Sequence, residues 1–410
     1  MNALFVTPYP PKPDGIGEHS RGLVDALRRV DGTDVDVLTV RHPESDVAMP
    51  GVHRILSADP RSTGRAVALM DELVPDIVHY QFAIPAFGLA AVSAIAAGMR
   101  ARRAHPEMRI VITFHEVRRE LDLLGPLGRG IYRTLVGAAD AVIVHTTDAR
   151  DLVSGECGGD PQRVWLTPLG GPPPPPGSLD PAVVASVQDR YGLAARGSGG
   201  RPLVLCFGFL HPDKGLEHVV DAVAALRDRD AIGPEGLDLM IAGTVRPRSG
   251  VFRCFGLRDH EYELELRRSV ERLGLTDLIR FVGFVDSADA PALFALARVV
   301  VVPYTKVTQS SVLDTATVAG APVVASDLPG LRESLGDGGL LVPPGDAGAL
   351  AAALERVLTD DELERSLRAR QEQRARLIGF DTVAAGLVGI YDSVRTAPSR
   401  VDDRRSVGVG

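Results

Sequence analysis

The run Gly208-Phe-Leu-His-Pro-Asp-Lys-Gly215 sets a single lysine beside a glycine, directly after an apolar segment. A lysine leaving a strand-to-helix turn next to a glycine can reach a diphosphate lying on the N-terminus of the following helix. Taken alone, a Lys-Gly pair reads as a solvated surface lysine. Lys214 is expected, however, to face a second polar loop at Thr308 to Ser311, and a negative ligand between the two would explain both. Three histidines, His79, His115 and His145, close three successive apolar runs. Each alone reads as a hydrogen-bonded strand-end residue. Three on one edge point to a site, although no spacing among them resembles a metal cluster.

Positioning these groups takes strands alternating with helices. Val299 to Val302 is a β-branched run stopped by Pro303, and reads as a buried strand. The polar loop Tyr304 to Ser310 leads to a helix over Ser311 to Ala319, capped by Gly320 and barred from continuing by Pro322. Val323 to Ala325 is the next strand, and Leu328 to Gly330 turns into another short element. In such a unit, backbone amides at a helix N-terminus meet the carboxyl edge of a parallel sheet, a geometry suited to phosphate. Around it, strands are expected at Pro202 to Phe207, Leu237 to Ala242 (ending at Gly243) and Ile279 to Val282 (ending at Gly283). Helices are expected at Pro181 to Tyr191, Leu216 to Arg227, Glu261 to Leu273, Asp289 to Ala297, Ala347 to Thr359 and Asp361 to Leu377.

The first half repeats the pattern. Leu4 to Thr7, Val35 to Val40, Asp76 to His79, Arg109 to Phe114 and Ala141 to Val144 read as strands, with a helix at Glu18 to Val30. Between the first strand and this helix, Gly15 and Gly17 allow close backbone approach to a ligand, or simply form a surface turn. Five consecutive prolines within Pro168 to Gly177 suit a stiff linker between domains. A last apolar helix is expected at Asp381 to Val394, and the charged tail over residues 396 to 410 is expected to be unstructured. Two domains, 1–177 and 178–379, follow from the 410-residue length and this pattern.

A net charge of −8 argues against a nucleic-acid partner and gives no general attraction to anionic lipid. Cys157, Cys206 and Cys254 are far apart and odd in number, which favours a reducing, cytoplasmic setting. No signal-peptide pattern opens the chain, and the apolar stretch Ala83 to Met99 is too short to span a bilayer, so it reads as a buried helix. Arg100, Arg102 and Arg103 beyond it read as a solvated helix end rather than a peripheral lipid contact.

Gly208 to Gly215, Val282-Gly283-Phe284-Val285, Ala319 to Ser326 and Gly330-Leu331-Arg332-Glu333 together resemble the nucleotide-sugar half of retaining glycosyltransferases of family four. The resemblance extends from the Gly15-Ile16-Gly17 loop to the final helix. It implies the GT-B fold, two doubly wound parallel-sheet α/β domains (Rossmann-like) facing across a cleft, with the last helix (380–395) crossing back to the first domain. It further implies a sugar transfer from a nucleotide-diphosphate sugar, UDP or GDP, to an acceptor hydroxyl. Lys214 would bind the donor diphosphate, and the amides around Gln309, Ser310, Ser311 and Val312 the distal phosphate. Gly208, His211 and Gly243 would belong to the same donor site, and Val282, Gly283 and Phe284 would line the base pocket. Gly15, Ile16 and Gly17 would close over the diphosphate. His115 would touch the donor sugar or leaving-group face, and Glu333 matches an acid after the family's glycine-leucine turn. His79, His145, Glu116 and Arg118, with the loops Tyr80 to Phe87 and Glu116 to Gly130, would bind the acceptor.

Two departures stand out. The family's pair of glutamates, eight positions apart, falls on Val307 and Thr315, or with a shift of one on Lys306 and Asp314, so neither register supplies both acids. Ser310-Ser311-Val312-Leu313 instead resembles a divergent branch with a serine-glycine-valine-leucine run. Asp314 or Thr315 is left to contact the ribose, and Asp314 reads equally as a solvated helix residue. Phe209 stands where the family often has an arginine, with His211 the nearest substitute. Amides, helix dipole and Lys214 can compensate a departing diphosphate without a metal or other cofactor. Asp34-Val-Asp36 lies on a strand and reads as structural. The expected partners are therefore a small-molecule donor and a small polar acceptor, an aminocyclitol or natural-product intermediate, in a monomer or homodimer. A catalytically silent nucleotide-sugar binder and a sugar-nucleotide epimerase of the same fold are the alternatives.

Overall fold

A computed structural model describes residues 1–11, 15–41, 49–83, 87–88, 90–171, 174–193, 200–233, 236–245, 253–307 and 309–397. The chain divides into two compact units: Met1–Gly170 with the segment from Phe380, and Gly171–Gly379. The division thus falls inside the proline-bearing stretch, seven residues ahead of the expected border. The tail expected to be unstructured lies, beyond residue 397, outside the described residues.

The first unit runs β1 (Asn2–Val6), α1 (Gly15–Leu27), β2 (Asp34–Val40), β3 (Val52–Leu56), α2 (Arg61–Leu73), β4 (Ile77–Phe82), α3 (Ala90–Ala104), β5 (Arg109–Phe114), α4 (Val117–Ala138), β6 (Ala141–Val144), α5 (Thr147–Gly155) and β7 (Val164–Leu166). Its seven parallel strands lie in the order β3-β2-β1-β4-β5-β6-β7. Successive side chains of a strand leave on opposite faces. Leu4 and Val6 therefore join one core with Ile110 and Ile112, while Ala3 and Phe5 join another with Val111 and Ile143. Helices cover both faces, which is why the strands read as continuous apolar runs. On the second face lies the final helix, Phe380–Thr396, burying Phe380, Val383, Ala384, Leu387, Ile390, Tyr391 and Val394. That spacing of three and four is the apolar stripe of one helix face.

The second unit runs α6 (Pro181–Tyr191), β8 (Leu203–Phe207), a 3₁₀ turn (Pro212–Lys214), α7 (Leu216–Asp228), β9 (Asp238–Ala242), α8 (Arg253–Arg272), β10 (Ile279–Gly283), α9 (Ala290–Leu296), β11 (Val299–Val302), α10 (Ser311–Val318), β12 (Val323–Ser326), α11 (Pro329–Leu335), β13 (Gly339–Val342), α12 (Ala347–Thr359) and α13 (Asp361–Ile378). Six parallel strands lie in the order β10-β9-β8-β11-β12-β13. In each sheet the order reverses once, between β1 and β4 and between β8 and β11. At such a switch point, loops leave in opposite directions and a crevice opens beyond the strand ends.

Three expectations need correction. β4 continues to Phe82, so His79 sits within the strand rather than at its end. The stretch Glu116 to Gly130 is not a loop: it belongs to α4, which bends at Gly125 and carries Pro126 after the bend. A proline at the start of the second segment of a bent helix removes no needed donor, so the helix resumes. The Ala83 to Met99 helix is α3, starting at Ala90; residues 84–86 and 89 lie outside the described residues. Among the described residues no helix is long and apolar enough to cross a membrane.

Candidate functional site

On the second unit, the switch-point strands β8 and β11 carry the residues that meet. Gly208 follows β8, the 3₁₀ turn carries Lys214, and Pro303-Tyr304 follow β11. Lys214 Nζ donates to Tyr304 Oη at 2.5 Å and lies 3.8 Å from the centre of the same ring. A Cβ built on Gly208 would stand 3.8 Å from Lys214 Nζ and 3.4 Å from Val312 Cγ2, so Gly208, Lys214 and the start of α10 converge. Gly208, Phe209, Leu210, Lys214, Pro303 and Tyr304 line a shallow depression there. Cys206 lines it too; burial pushes its thiol up to about 12 although the Lys214 charge pulls the other way, so the thiol is inert.

Two glycines make this edge possible. Gly215 has φ +60, and a Cβ there would lie 2.3 Å from the Pro303 carbonyl oxygen. A Cβ on Gly243 would lie 1.9 Å from the Gly208 carbonyl oxygen, so the ends of β9 and β8 touch backbone to backbone.

Ser310 caps α10: its Oγ accepts from the Leu313 N–H at 3.2 Å and donates to Tyr304 Oη at 3.4 Å. The first amides of the helix have no intrahelical acceptor and face outward with the positive dipole end. The buried Gln309 Nε2 has no partner among the described residues, a donor left over beside those amides. Thr308 lies outside the described residues. His211 precedes the 3₁₀ turn with Nδ1 3.9 Å from Asp213 Oδ2. Val282, Gly283 and Phe284 follow on the same edge at the end of β10, with the Phe284 ring 75% exposed.

Asp314 is buried, not solvated, and burial raises its carboxyl to about 7 despite Arg374. Thr315 Oγ1 donates back to the Ser311 carbonyl at 2.8 Å. Glu333 lies in α11, where its carbonyl accepts from Arg374 Nη2 at 2.6 Å.

On the first unit, the carboxyl edge gathers imidazoles. His115 directly follows β5, His145 follows β6, and His19 projects from α1, with ring centres 5.1, 5.7 and 6.5 Å apart pairwise. His145 Nδ1 hydrogen-bonds the Thr167 carbonyl at 3.0 Å and His19 Nε2 the Leu169 carbonyl at 2.8 Å. A carbonyl only accepts, so those nitrogens carry the protons. His19 Nδ1 and His145 Nε2 are thereby lone-pair acceptors, buried and without partners among the described residues. Burial, then the neighbouring rings, holds His115 well below the usual histidine range and His145 at about 4, so the cluster is neutral at pH 7. His115 Nε2 pairs with Gln81 Oε1 at 2.7 Å. Neutral acceptor nitrogens suit hydroxyl donors, not anions. Among the described residues no three His, Cys, Asp or Glu side chains group as metal ligands.

His79 is not part of this edge. It is fully buried, with Nδ1 on Tyr391 Oη at 2.6 Å and Nε2 on Thr113 Oγ1 at 2.7 Å, and pins the final helix to the sheet. Arg118 is engaged with Asp148 through Nε at 2.6 Å and through Nη2, so it is committed to an ion pair. Glu116 follows His115, part-exposed, at the N-terminal boundary of α4. Gly15, Ile16 and Gly17 form the first turn of α1; Ile16 packs on the core, and a Cβ on Gly17 would lie 3.4 Å from the Pro8 carbonyl oxygen. Residues 12–14 before them lie outside the described residues. Tyr304 and His19 are the members of these edges that the sequence does not reveal. Tyr304 is signalled only by being an aromatic at the start of a polar loop, and His19 by nothing local.

Residues 13–170 match the family described as Glycosyltransferase Family 4, and residues 201–360 the one described as Glycosyl transferases group 1. Together they take in most of the chain. The chain belongs to the family 4 glycosyltransferases. A D-inositol 3-phosphate glycosyltransferase of Salinispora arenicola is 31% identical over 264 residues, 63% of this chain and 55% of that protein. A 2-deoxystreptamine glucosyltransferase of Streptomyces kanamyceticus is 27% identical over 272 residues, 66% of this chain and 64% of that protein. The chain thus spans somewhat over half the length of these relatives. The solved structure of Anabaena HepE in complex with UDP superposes with a TM-score of 0.70 at 20% identity, over 96% of this chain and 100% of that one. That likeness, with the two parallel sheets, shows the GT-B fold for this family 4 member.

Proposed function

We propose that this family 4 glycosyltransferase moves a sugar from a nucleotide-diphosphate sugar, UDP- or GDP-linked, to a hydroxyl of a small cyclitol-type acceptor. The donor sits on the second unit and the acceptor on the first. The observation that carries the reading is the convergence of Lys214, Gly208 and the capped N-terminus of α10 at the β8/β11 switch point. A cation and a row of outward amides there meet the charge that builds on a departing diphosphate. No step of this kind calls for a metal, and the reading is metal-independent with retention at the sugar carbon. The exposed Phe284 offers a face for the base. On the first unit, neutral imidazole acceptors beside His115 suit a polyhydroxylated ligand, and relatives named for inositol phosphate and 2-deoxystreptamine support a cyclitol.

Lys214→Ala tests the reading. Acceptor-dependent release of nucleoside diphosphate, followed by mass spectrometry with inositol, inositol phosphate and 2-deoxystreptamine, should fall by at least a hundredfold. Activity near that of the parent would remove Lys214 from the mechanism. Tight nucleoside diphosphate binding without turnover on any acceptor would instead mark a binding protein.

A further inference from the structure

Lys214 is held by a neutral partner. Tyr304, only 3% exposed, accepts from the Lys214 ammonium at 2.5 Å and from Ser310 Oγ at 3.4 Å, while that same Oγ accepts the Leu313 N–H. A phenol has two acceptor lone pairs, and both are taken. One oxygen therefore joins the side chain leaving β8 to the cap of α10, across the point where the strand order reverses. A carboxylate in this place would pair with the ammonium and cancel much of its field; a phenol fixes the nitrogen and leaves its whole charge to a ligand.

We propose that Tyr304 is the positioning residue of the diphosphate site, setting the Lys214 ammonium and the first amides of α10 against the same phosphate. This rests on the donor reading above.

Isothermal titration of the full chain with UDP and GDP, and with uridine and guanosine as controls, tests it. Tyr304→Phe keeps the ring under the ammonium and removes only Oη. It should weaken both diphosphates about tenfold, the value of a hydrogen bond to a charged group, and leave both nucleosides unchanged. In a Lys214→Met background the same change should have a smaller effect, because only the Ser310 arm of its route to the phosphate is left. Ser310→Ala reads the other arm of the link, also if Tyr304→Phe does not fold, and should weaken the diphosphates selectively. Equal affinity of Tyr304→Phe and parent for the diphosphates overturns the inference, as does an equal loss for nucleosides, or no selective loss in Ser310→Ala. A parent chain that binds neither diphosphate overturns the donor reading itself, and this inference with it.

Discussion

Two kinds of buried titratable group set opposite pH trends in this molecule. His19, His79, His115 and His145 are all held below the ordinary histidine value by burial, His79 to about 3 and His145 to about 4. An unfolded chain protonates its histidines near 6.5, so between that value and the folded values it holds more protons. Stability therefore falls as pH drops from about 6.5 toward 4. Asp314 works the other way: folded, it keeps its proton up to about 7, while unfolded it loses it near 3.8. That stability is lost as pH rises between those values. Below pH 6 four histidines outweigh one carboxyl, and above pH 7 neither kind titrates, so the Asp314 penalty stays at its full size. Asp314→Asn mimics the protonated acid and should raise the melting temperature at pH 8 by several degrees, yet change it little at pH 4. Thermal denaturation across pH 4–9 checks this, and parallel profiles for the two proteins would contradict it.

At the scale of elements, the final helix depends on one absent side chain. A Cβ on Gly22 would lie 2.3 Å from Phe380 Cε2, and that ring is buried and cannot swing aside. Alanine in mid-helix would ordinarily gain about 1 kcal/mol over glycine. Overpacking at this contact costs about 1–3 kcal/mol, and the clash wins. Gly22→Ala should lower the melting temperature by several degrees, and Phe380→Leu should partly relieve it; additive losses would show that the two do not meet. The same helix, packing on a sheet hundreds of residues upstream, shows what a linear reading can and cannot hold. Val299–Val302 and Ala347–Thr359 are legible because one local signal, a β-branched run or a helical stripe, agrees with the tertiary setting. β7 buries only Val164 of its three residues and β13 opens on a glycine, so neither carries a strand signal. The loop expected over Glu116 to Gly130 is instead helix on both sides of Gly125, which itself stands outside helical geometry before the helix resumes at Pro126. Lys214 and the 309–312 loop are legible as phosphate chemistry because Lys-Gly and a capped helix start are local patterns. Tyr304, His19 and the burial of Asp314 are not, since each is defined by chain far away in sequence. His79 reads as a strand end for a smaller reason: the apolar-polar alternation after it, Tyr80-Gln81-Phe82, hides three more residues of strand.

For the molecule as a whole, two sheets built alike present different chemistry at their carboxyl edges. One offers a lysine and helix amides, which suit an anion; the other offers neutral imidazole acceptors, which suit hydroxyls. A net charge of −8 makes the general field of the protein repel an anion such as the proposed nucleotide sugar, so attraction for it would have to come from that local cation and dipole. A crystal structure of the chain soaked with UDP or GDP tests this division of labour most directly. The account predicts the distal phosphate on the second unit, with an oxygen about 3 Å from Lys214 Nζ and from the first amides of α10. A diphosphate bound at the histidine edge of the first unit, with no ligand beside Lys214, would contradict it.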